Sequence, residues 1–389
     1  MDNLSEPASK GPPKTQPTVR RFCIISGNAR SLIANRANLL ADVQSRGYTV
    51  TAIVPTEDYL PGVEQLGVDI IRVPLGRTAT NPLADIATVF RLWRAIRSVR
   101  PRVVFGYGAK PVVYGMLAGV LAGVPKRFSM VTGLGYAFTT RTAKTAIIRF
   151  ILSILYFVGF SCAQRVFVQN PDDLGELKRL SLLRGAHKAV LVNGSGIDLD
   201  HFKPTPLPKR KMTFLFIGRL LTEKGIEEFC NAAALVVPHD RPVRFIAVGP
   251  HDPNLPHSVK AEQLAEWKAA GVVEFPGGIQ DVRPWIAEAT VLVLPSYREG
   301  TPRSVLEAMA MGRPIITTDS PGCRETVIDG HNGLLVTPRT EEPLARAMQT
   351  LVDQPERIPV MAQRSLERVR EKYDVRKVNA CILEAMGIQ

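Results

Sequence analysis

The chain has few cysteines and, over one long stretch, no acidic residues, and each shortage narrows what it can be. Cys23, Cys162, Cys230, Cys323 and Cys381 are scattered over 389 residues with no C-x-x-C pair. That excludes a disulfide framework or a zinc knuckle and fits a reducing cytosol. The six histidines contain no H-x-x-x-H pair to seat zinc on a helix. Residues 1–20 hold four prolines and no apolar core, so they read as a disordered tail rather than a secretory signal. The uncharged stretch Phe150–Gln164 is 15 residues long, short of the roughly 20 that span a bilayer.

Acidic residues are missing from one place in particular. Between Asp85 and Asp172 none occurs, while twelve basic residues do. Up to Lys203 there are 26 Lys and Arg against 13 Asp and Glu, and beyond it 23 against 23, so the net charge of +13 belongs to the front half. Such a field attracts anions: nucleic acid, an anionic membrane surface or a phosphorylated lipid. The Phe150–Gln164 run, beside Arg141, Lys144 and Arg149, reads either as a buried helix or as one whose apolar face dips into a membrane interface.

What is present is the composition of a globular protein, 45% hydrophobic and 22% charged, at a length that favours two domains. Short apolar strands (RFCIIS, YTVTAIVP, VDIIRVP, RVVFGYG, KRFSMVT, RVFVQN) alternate with helical patterns, one of them from Pro82 to Val99 and another near Val112 to Ala122. That cadence calls for a parallel sheet covered on both faces. The Pro- and Lys-rich stretch Pro204–Lys211 is a linker, after which MTFLFIG, VRFIAVG, VVEFPG, VLVLP and PIITT repeat the pattern. The expectation is an α/β chain of two doubly wound, Rossmann-like domains, residues 21–205 and 206–370, with a segment 371–389 after them. Ligands of such sheets sit beyond the carboxyl ends of the strands, so two facing domains make one cleft.

Two clusters fall at strand ends. After VLVLPSY comes Arg298-Glu299-Gly300-Thr301-Pro302-Arg303 and a helical run carrying Glu307. A helix opening at Pro302 offers free N–H groups and a positive dipole end to an anion. A diphosphate at that turn, a ribose near Glu307 and a reacting sugar near Glu299 satisfy the arrangement. The second cluster, Gly218-Arg219-Leu220-Leu221-Thr222-Glu223-Lys224, places two cations where they can stabilise a departing pyrophosphate. Asp198 and Asp200 have the D-x-D spacing of a metal site, yet Arg219 and Lys224 already bring the charge a metal would supply, and an Asx turn explains the pair. Cys323 reads as a packed loop residue.

The stretch REGTPRSVLEAMAMGRPIITTDSPGCRETVIDGHNGLLV, with FIGRLLTEKGI and VNGSGIDLDHF, resembles retaining glycosyltransferases of family 4. YGAKPVVYGMLAGVLAGVPKRFSMVTGLGYAF is similar to the subgroup that builds surface polysaccharides on an undecaprenyl carrier. The resemblance implies the GT-B fold, with the nucleotide-sugar donor in the second domain and the acceptor in the first. It implies that Glu299 contacts the donor sugar, Glu307 the ribose, and Arg219 and Lys224 the diphosphate. Gly300 and Thr301 join the donor site, Gly27 brings backbone close to the phosphates, and Gly278 and Ile279 lie beside the base. Thr132 stands where many members carry His; it can donate a hydrogen bond but cannot act as an acid or base near neutrality. Thr132 and Arg303 are further candidates on the acceptor side. The final helix, Pro355 to Met386, is expected to cross back to the first domain.

The expected enzyme is therefore a retaining hexosyltransferase, peripheral on the cytoplasmic face of the membrane, taking a UDP-sugar to a polyprenyl-diphosphate-linked saccharide, with no metal cofactor and no nucleic acid partner. Two alternatives are a nucleotide-sugar epimerase of the same fold and a basic membrane- or nucleic-acid-binding module; the second leaves Arg219 to Glu307 unexplained.

Overall fold

The computed structural model describes residues 20–55, 60–75, 82–135, 138, 143–185, 187–209, 211–237, 242–255 and 257–389. The expected tail lies outside them but for Arg20, which opens the first strand; Arg141 and the Lys144 side chain also lie outside.

The front half forms a seven-stranded parallel sheet from β1 (Arg20–Ser26), β2 (Tyr48–Val54), β3 (Asp69–Arg72), β4 (Val103–Tyr107), β5 (Lys126–Val131), β6 (Arg165–Val168) and β7 (Ala189–Leu191). Their order is β3-β2-β1-β4-β5-β6-β7. The helices of this half are α1 (Ala29–Ser45), α2 (Leu60–Glu64), α3 (Pro82–Val99), α4 (Met116–Leu121), α5 (Ala143–Cys162) and α6 (Pro171–Arg179). Alternation along β1 sends Phe22 and Ile24 to a core shared with α1, and Cys23 and Ile25 to a second core on the other face.

The back half repeats the plan with six strands, β8 (Met212–Ile217), β9 (Val243–Val248), β10 (Val273–Gly277), β11 (Val291–Leu294), β12 (Ile315–Thr318) and β13 (Gly333–Val336), ordered β10-β9-β8-β11-β12-β13. Helices α7 (Ile226–Leu235), α8 (Ala261–Ala270), α9 (Arg283–Glu288), α10 (Arg303–Ala310), α11 (Glu341–Asp353), α12 (Arg357–Lys372) and α13 (Val375–Met386) complete the chain. Strand order reverses beside β1 and β4 in the first sheet and beside β8 and β11 in the second. The crevice of each sheet opens there.

Two expectations need amendment. The helix near Val112 begins as a π-helical turn, Pro111–Gly115, before α4. The single helix expected from Pro355 to Met386 is two, α12 and α13, because the chain crosses between domains at Tyr373–Asp374. There Ile197 bridges to Asp374, and the Asp374 side chain caps α13 through the Arg376 N–H. Beyond the break, Val378, Ile382, Leu383, Met386 and Ile388 bury in the first-domain core beside α1.

Helix α5 is buried on one face, as a packed helix would be, and exposed on the other. Tyr156 and Phe160 are buried against the first domain, whereas Ile147, Phe150, Ile151 and Ile154 are exposed, Phe150 by 67%. Leu152 and Phe157 belong to the packed side, with the Arg184 guanidinium over the Phe157 ring at 4.6 Å. By length and composition alone Thr145–Cys162 is apolar enough to cross a membrane. Its packed face makes it a one-sided helix of a folded domain.

Candidate active site

The residues expected to carry chemistry sit on the turns that leave β8 and β11. After β8 the chain passes Gly218 and Arg219 into a single 3-10 turn, Thr222–Lys224, which ends at Gly225. Gly225 has φ +74°, and a Cβ there would lie 2.2 Å from the Pro295 carbonyl oxygen. Only glycine lets this turn lie so close to the β11 exit, and that approach aims Lys224 at Glu299. The Lys224 ammonium pairs with the Glu299 carboxylate, and Ser296 Oγ donates to the same oxygen at 2.8 Å. Both side chains are largely shielded, 19% and 13% exposed.

Pro302 stands at the N-cap of α10, with no side-chain cap to occupy the helix's first N–H groups. Arg303 opens the helix. One turn on, Glu307 accepts from Arg303 Nε at 2.8 Å. Burial pushes the Glu307 carboxyl up from its ordinary value, and the nearby Asp281 charge adds to that; Arg303 pulls the other way. A buried, uncapped helix start beside cations is a place for an anion.

A cavity of about 380 Å³ lies between the two domains. Arg219, Lys224, Glu299, Thr301 and Arg303 line it from the second domain, and Thr132 from the first. The lining does not include Glu307, Gly300, Gly27, Gly278 or Ile279. Glu307 lies behind Arg303, and Gly300 is packed against the first domain. Gly27 follows β1 near the Pro111 ring, Gly278 abuts Pro250, and Ile279 packs on the second-domain core. A second cavity of about 200 Å³ adjoins the first, bordered by Thr132, Gly133, Gly135, Arg298 and Glu299.

Residues that sequence reasoning passed over hold this arrangement closed. Asn170 caps α6 and its Nδ2 donates to the carbonyl oxygens of Glu299 (3.2 Å) and Gly300 (2.9 Å). Asp173, fully buried, pairs with Arg298, and Arg324 Nη1 meets Asp172 at 3.0 Å. Burial raises the Asp173 carboxyl against the opposing pull of Arg298. Only the local cap was legible there: Asn170-Pro171-Asp172-Asp173 is a helix start, and nothing in it names its partners 125 residues away. Arg36, with Tyr107 and Gln169, also reaches the larger cavity. Its signal was an arginine on the apolar face of α1, between Leu32 and Leu39.

The D-x-D pair is elsewhere. Asp198 Oδ1 accepts from the backbone N–H of Asp200 (2.9 Å) and His201 (3.1 Å), an Asx turn, while Asn38 donates to Oδ2 and Arg376 pairs with Asp200. Cys323 is buried, its thiol pushed up to about 11 by desolvation, which leaves it inert.

Comparison with known proteins agrees with this architecture. The glycosyl transferase 4-like domain matches residues 34–194, and the glycosyl transferases group 1 family matches residues 211–354. The N,N'-diacetylbacillosaminyl-diphospho-undecaprenol alpha-1,3-N-acetylgalactosaminyltransferase of Campylobacter jejuni is 27% identical over 346 residues, 86% of this chain and 89% of the relative. Among solved structures, Anabaena HepE in complex with UDP-glucose aligns with a TM-score of 0.77 at 17% identity, over 95% of this chain and 100% of that one. Sucrose-phosphate synthase of Thermosynechococcus elongatus also aligns at 0.77, with 20% identity over 94% and 98%. The structural likenesses establish the GT-B fold. The family matches cover both domains and separate this chain from an epimerase or a simple binding module: it belongs to the glycosyltransferases whose halves are the 4-like and group 1 domains, and it is a sugar-transferring enzyme.

Proposed function

We propose that the enzyme transfers a hexose-type sugar from a nucleotide donor, a UDP-sugar, to a polyprenyl-diphosphate-linked saccharide, with retention at the anomeric carbon. The observation that carries the reading is the convergence of Arg219, Lys224, Glu299 and Thr301 on one interdomain cavity at the N-terminus of α10. In this reading the diphosphate lies against Thr301, Arg219 and Lys224, Glu307 receives the ribose hydroxyls, and Gly278 and Ile279 flank the base. Gly27 and Gly300 keep backbone close to the phosphates and the sugar.

The acceptor hydroxyl enters from the first-domain side, past Thr132, on the face from which the diphosphate departs. Its oxygen bonds to the anomeric carbon as the carbon–oxygen bond to the β-phosphate breaks, and its proton passes to the departing phosphate oxygen. Arg219 and Lys224 stabilise the charge that develops on the leaving group. Glu299, held by Lys224 and Ser296, positions the sugar, and no protein nucleophile or metal is required. The C. jejuni relative, named for a diphospho-undecaprenol acceptor, supports the acceptor class.

The membrane side of the reading rests on the first domain. Exposed Ile86 and Phe90 on α3, Val120 and Leu121 on α4, and Ile147, Phe150, Ile151 and Ile154 on α5 belong to neighbouring helices. Exposed arginines Arg91, Arg94 and Arg97 lie on α3. Apolar side chains flanked by cations match an anionic cytoplasmic leaflet, where the lipid-linked acceptor resides.

The test is transfer of radiolabelled sugar from a donor panel to a polyprenyl-diphosphate-linked acceptor, with EDTA present. Product with the donor's anomeric configuration is the expected result. Glu299→Ala should lower kcat by about a hundredfold or more. Wild-type turnover by that variant, or dependence on added Mg²⁺, overturns the assignment.

A further inference from the structure

Arg36 is a buried charge that the proposed reaction does not use. It lies on α1 at 1% exposure, and its Nη2 meets Met130 Sδ at 2.6 Å. Its guanidinium carbon stands 5.2 Å from the centre of the Tyr107 ring. Nε and Nη1 are both buried and have no hydrogen-bond partner among the described residues. A thioether is a weak acceptor, and a ring face only partly offsets desolvation of a cation. For folding alone an apolar side chain of similar volume would serve better, because a buried guanidinium with open donors is strongly disfavoured.

What Arg36 borders explains why a cation belongs there. It reaches the 380 Å³ cavity from the first domain, while Arg219, Lys224 and Arg303 reach it from the second. The one carboxylate on that lining, Glu299, is already paired with Lys224. Arg303 is likewise paired with Glu307, so Arg36 and Arg219 leave the cavity with an excess of positive charge. Burial, with a smaller contribution from the Arg303 charge, lowers the Arg36 pKa to about 10, so the group stays protonated at neutral pH.

We propose that Arg36 is an anion-binding residue of the cleft, donating its open N–H groups to oxygens of a substrate diphosphate in the cavity that Arg219 and Lys224 line from the opposite domain. The inference rests on the reading of the cleft as a nucleotide-sugar site. Because a polyprenyl-linked acceptor also carries a diphosphate, either substrate can bring the anion, and the experiment separates them.

Nucleoside diphosphates and the matching free nucleosides are titrated calorimetrically into the full-length wild type, Arg36→Met and Arg36→Lys. Loss of charge-assisted hydrogen bonds should weaken nucleoside diphosphate binding to Arg36→Met by about tenfold to a hundredfold. Free nucleoside binding should be unchanged, and Arg36→Lys should recover part of the loss, a pattern that a structural role would not produce. If nucleoside diphosphate binding is unaltered but the KM for the diphosphate-linked acceptor rises by a similar factor, the anion is the acceptor's and the assignment stands. If Arg36→Met changes neither quantity, the assignment is wrong. If the wild type binds no nucleoside diphosphate, the nucleotide-sugar reading itself fails, which is a separate result.

Discussion

Glu307 and Glu299 occupy one loop and helix but differ in environment. Glu299 is paired with a lysine at the cavity edge, whereas Glu307 is buried and its carboxyl is raised. A carboxyl whose folded pKa is raised contributes stability fully below the unfolded value, near 4.3, and that contribution is lost as the pH rises through the folded value. Glu307→Gln removes this loss. Its melting temperature relative to wild type should therefore be higher near neutrality than at about pH 4, as scanning calorimetry across pH would measure. Donor binding should weaken about tenfold at the same time, since the amide replaces the carboxyl that receives the ribose hydroxyls. A pH-independent stability difference would contradict the origin given for the raised carboxyl. The grouping of the candidate residues was legible because Glu299, Thr301, Arg303 and Glu307 lie within nine residues, and Arg219 and Lys224 within six. Arg36 was not, because whether a guanidinium on an apolar face is satisfied depends on neighbours such as Met130, 94 residues away.

At the scale of elements, strand–helix alternation located the parallel sheets, but two edge strands escaped it. Ala189–Leu191 and Gly333–Val336 lie at the sheet margins and are only partly buried, so neither carries the sustained apolar run of a central strand. Helix α5 shows the converse problem. An apolar run carries no record of which face is covered, and nothing in it separates Leu152 and Phe157, which pack, from Phe150 and Ile154, which do not. Burying an Ile or Phe side chain is worth about 1.5–3 kcal/mol, and this face forgoes it in water. Phe150→Glu combined with Ile154→Glu should reduce binding to anionic liposomes by about tenfold or more, with little effect on thermal stability because both side chains are already exposed. Flotation with vesicles of phosphatidylglycerol measures it. Unchanged binding would remove α5 from the proposed membrane-facing surface.

Across the whole molecule, the candidate catalytic loop is shaped by both domains. The loop from Tyr297 to Thr301 belongs to the second domain, yet Asn170 holds two of its carbonyls and Asp173 holds Arg298. Gly300 is the tightest point. A Cβ there would lie 2.4 Å from both Gln169 Oε1 and the Thr132 carbonyl oxygen, atoms of the first domain. Gly300→Ala should therefore push the domains apart without disturbing either core. A displacement near 1 Å is enough to lower kcat by about a hundredfold. Small-angle scattering should register a larger radius of gyration; normal turnover with unchanged scattering would show that the contact yields freely. Such contacts were beyond the sequence, because they join positions more than 100 residues apart and several end on backbone atoms common to every residue.

The crossing of α13 onto the first sheet has a consequence for biogenesis. The core that β1 and α1 begin near residue 20 is finished by Ile382, Leu383, Met386 and Ile388. While the ribosome is still adding the second domain, that early hydrophobic surface remains uncovered, and a nascent chain in this state is a natural client for chaperones. The amino-terminal domain, first to emerge, is thus the last to be sealed.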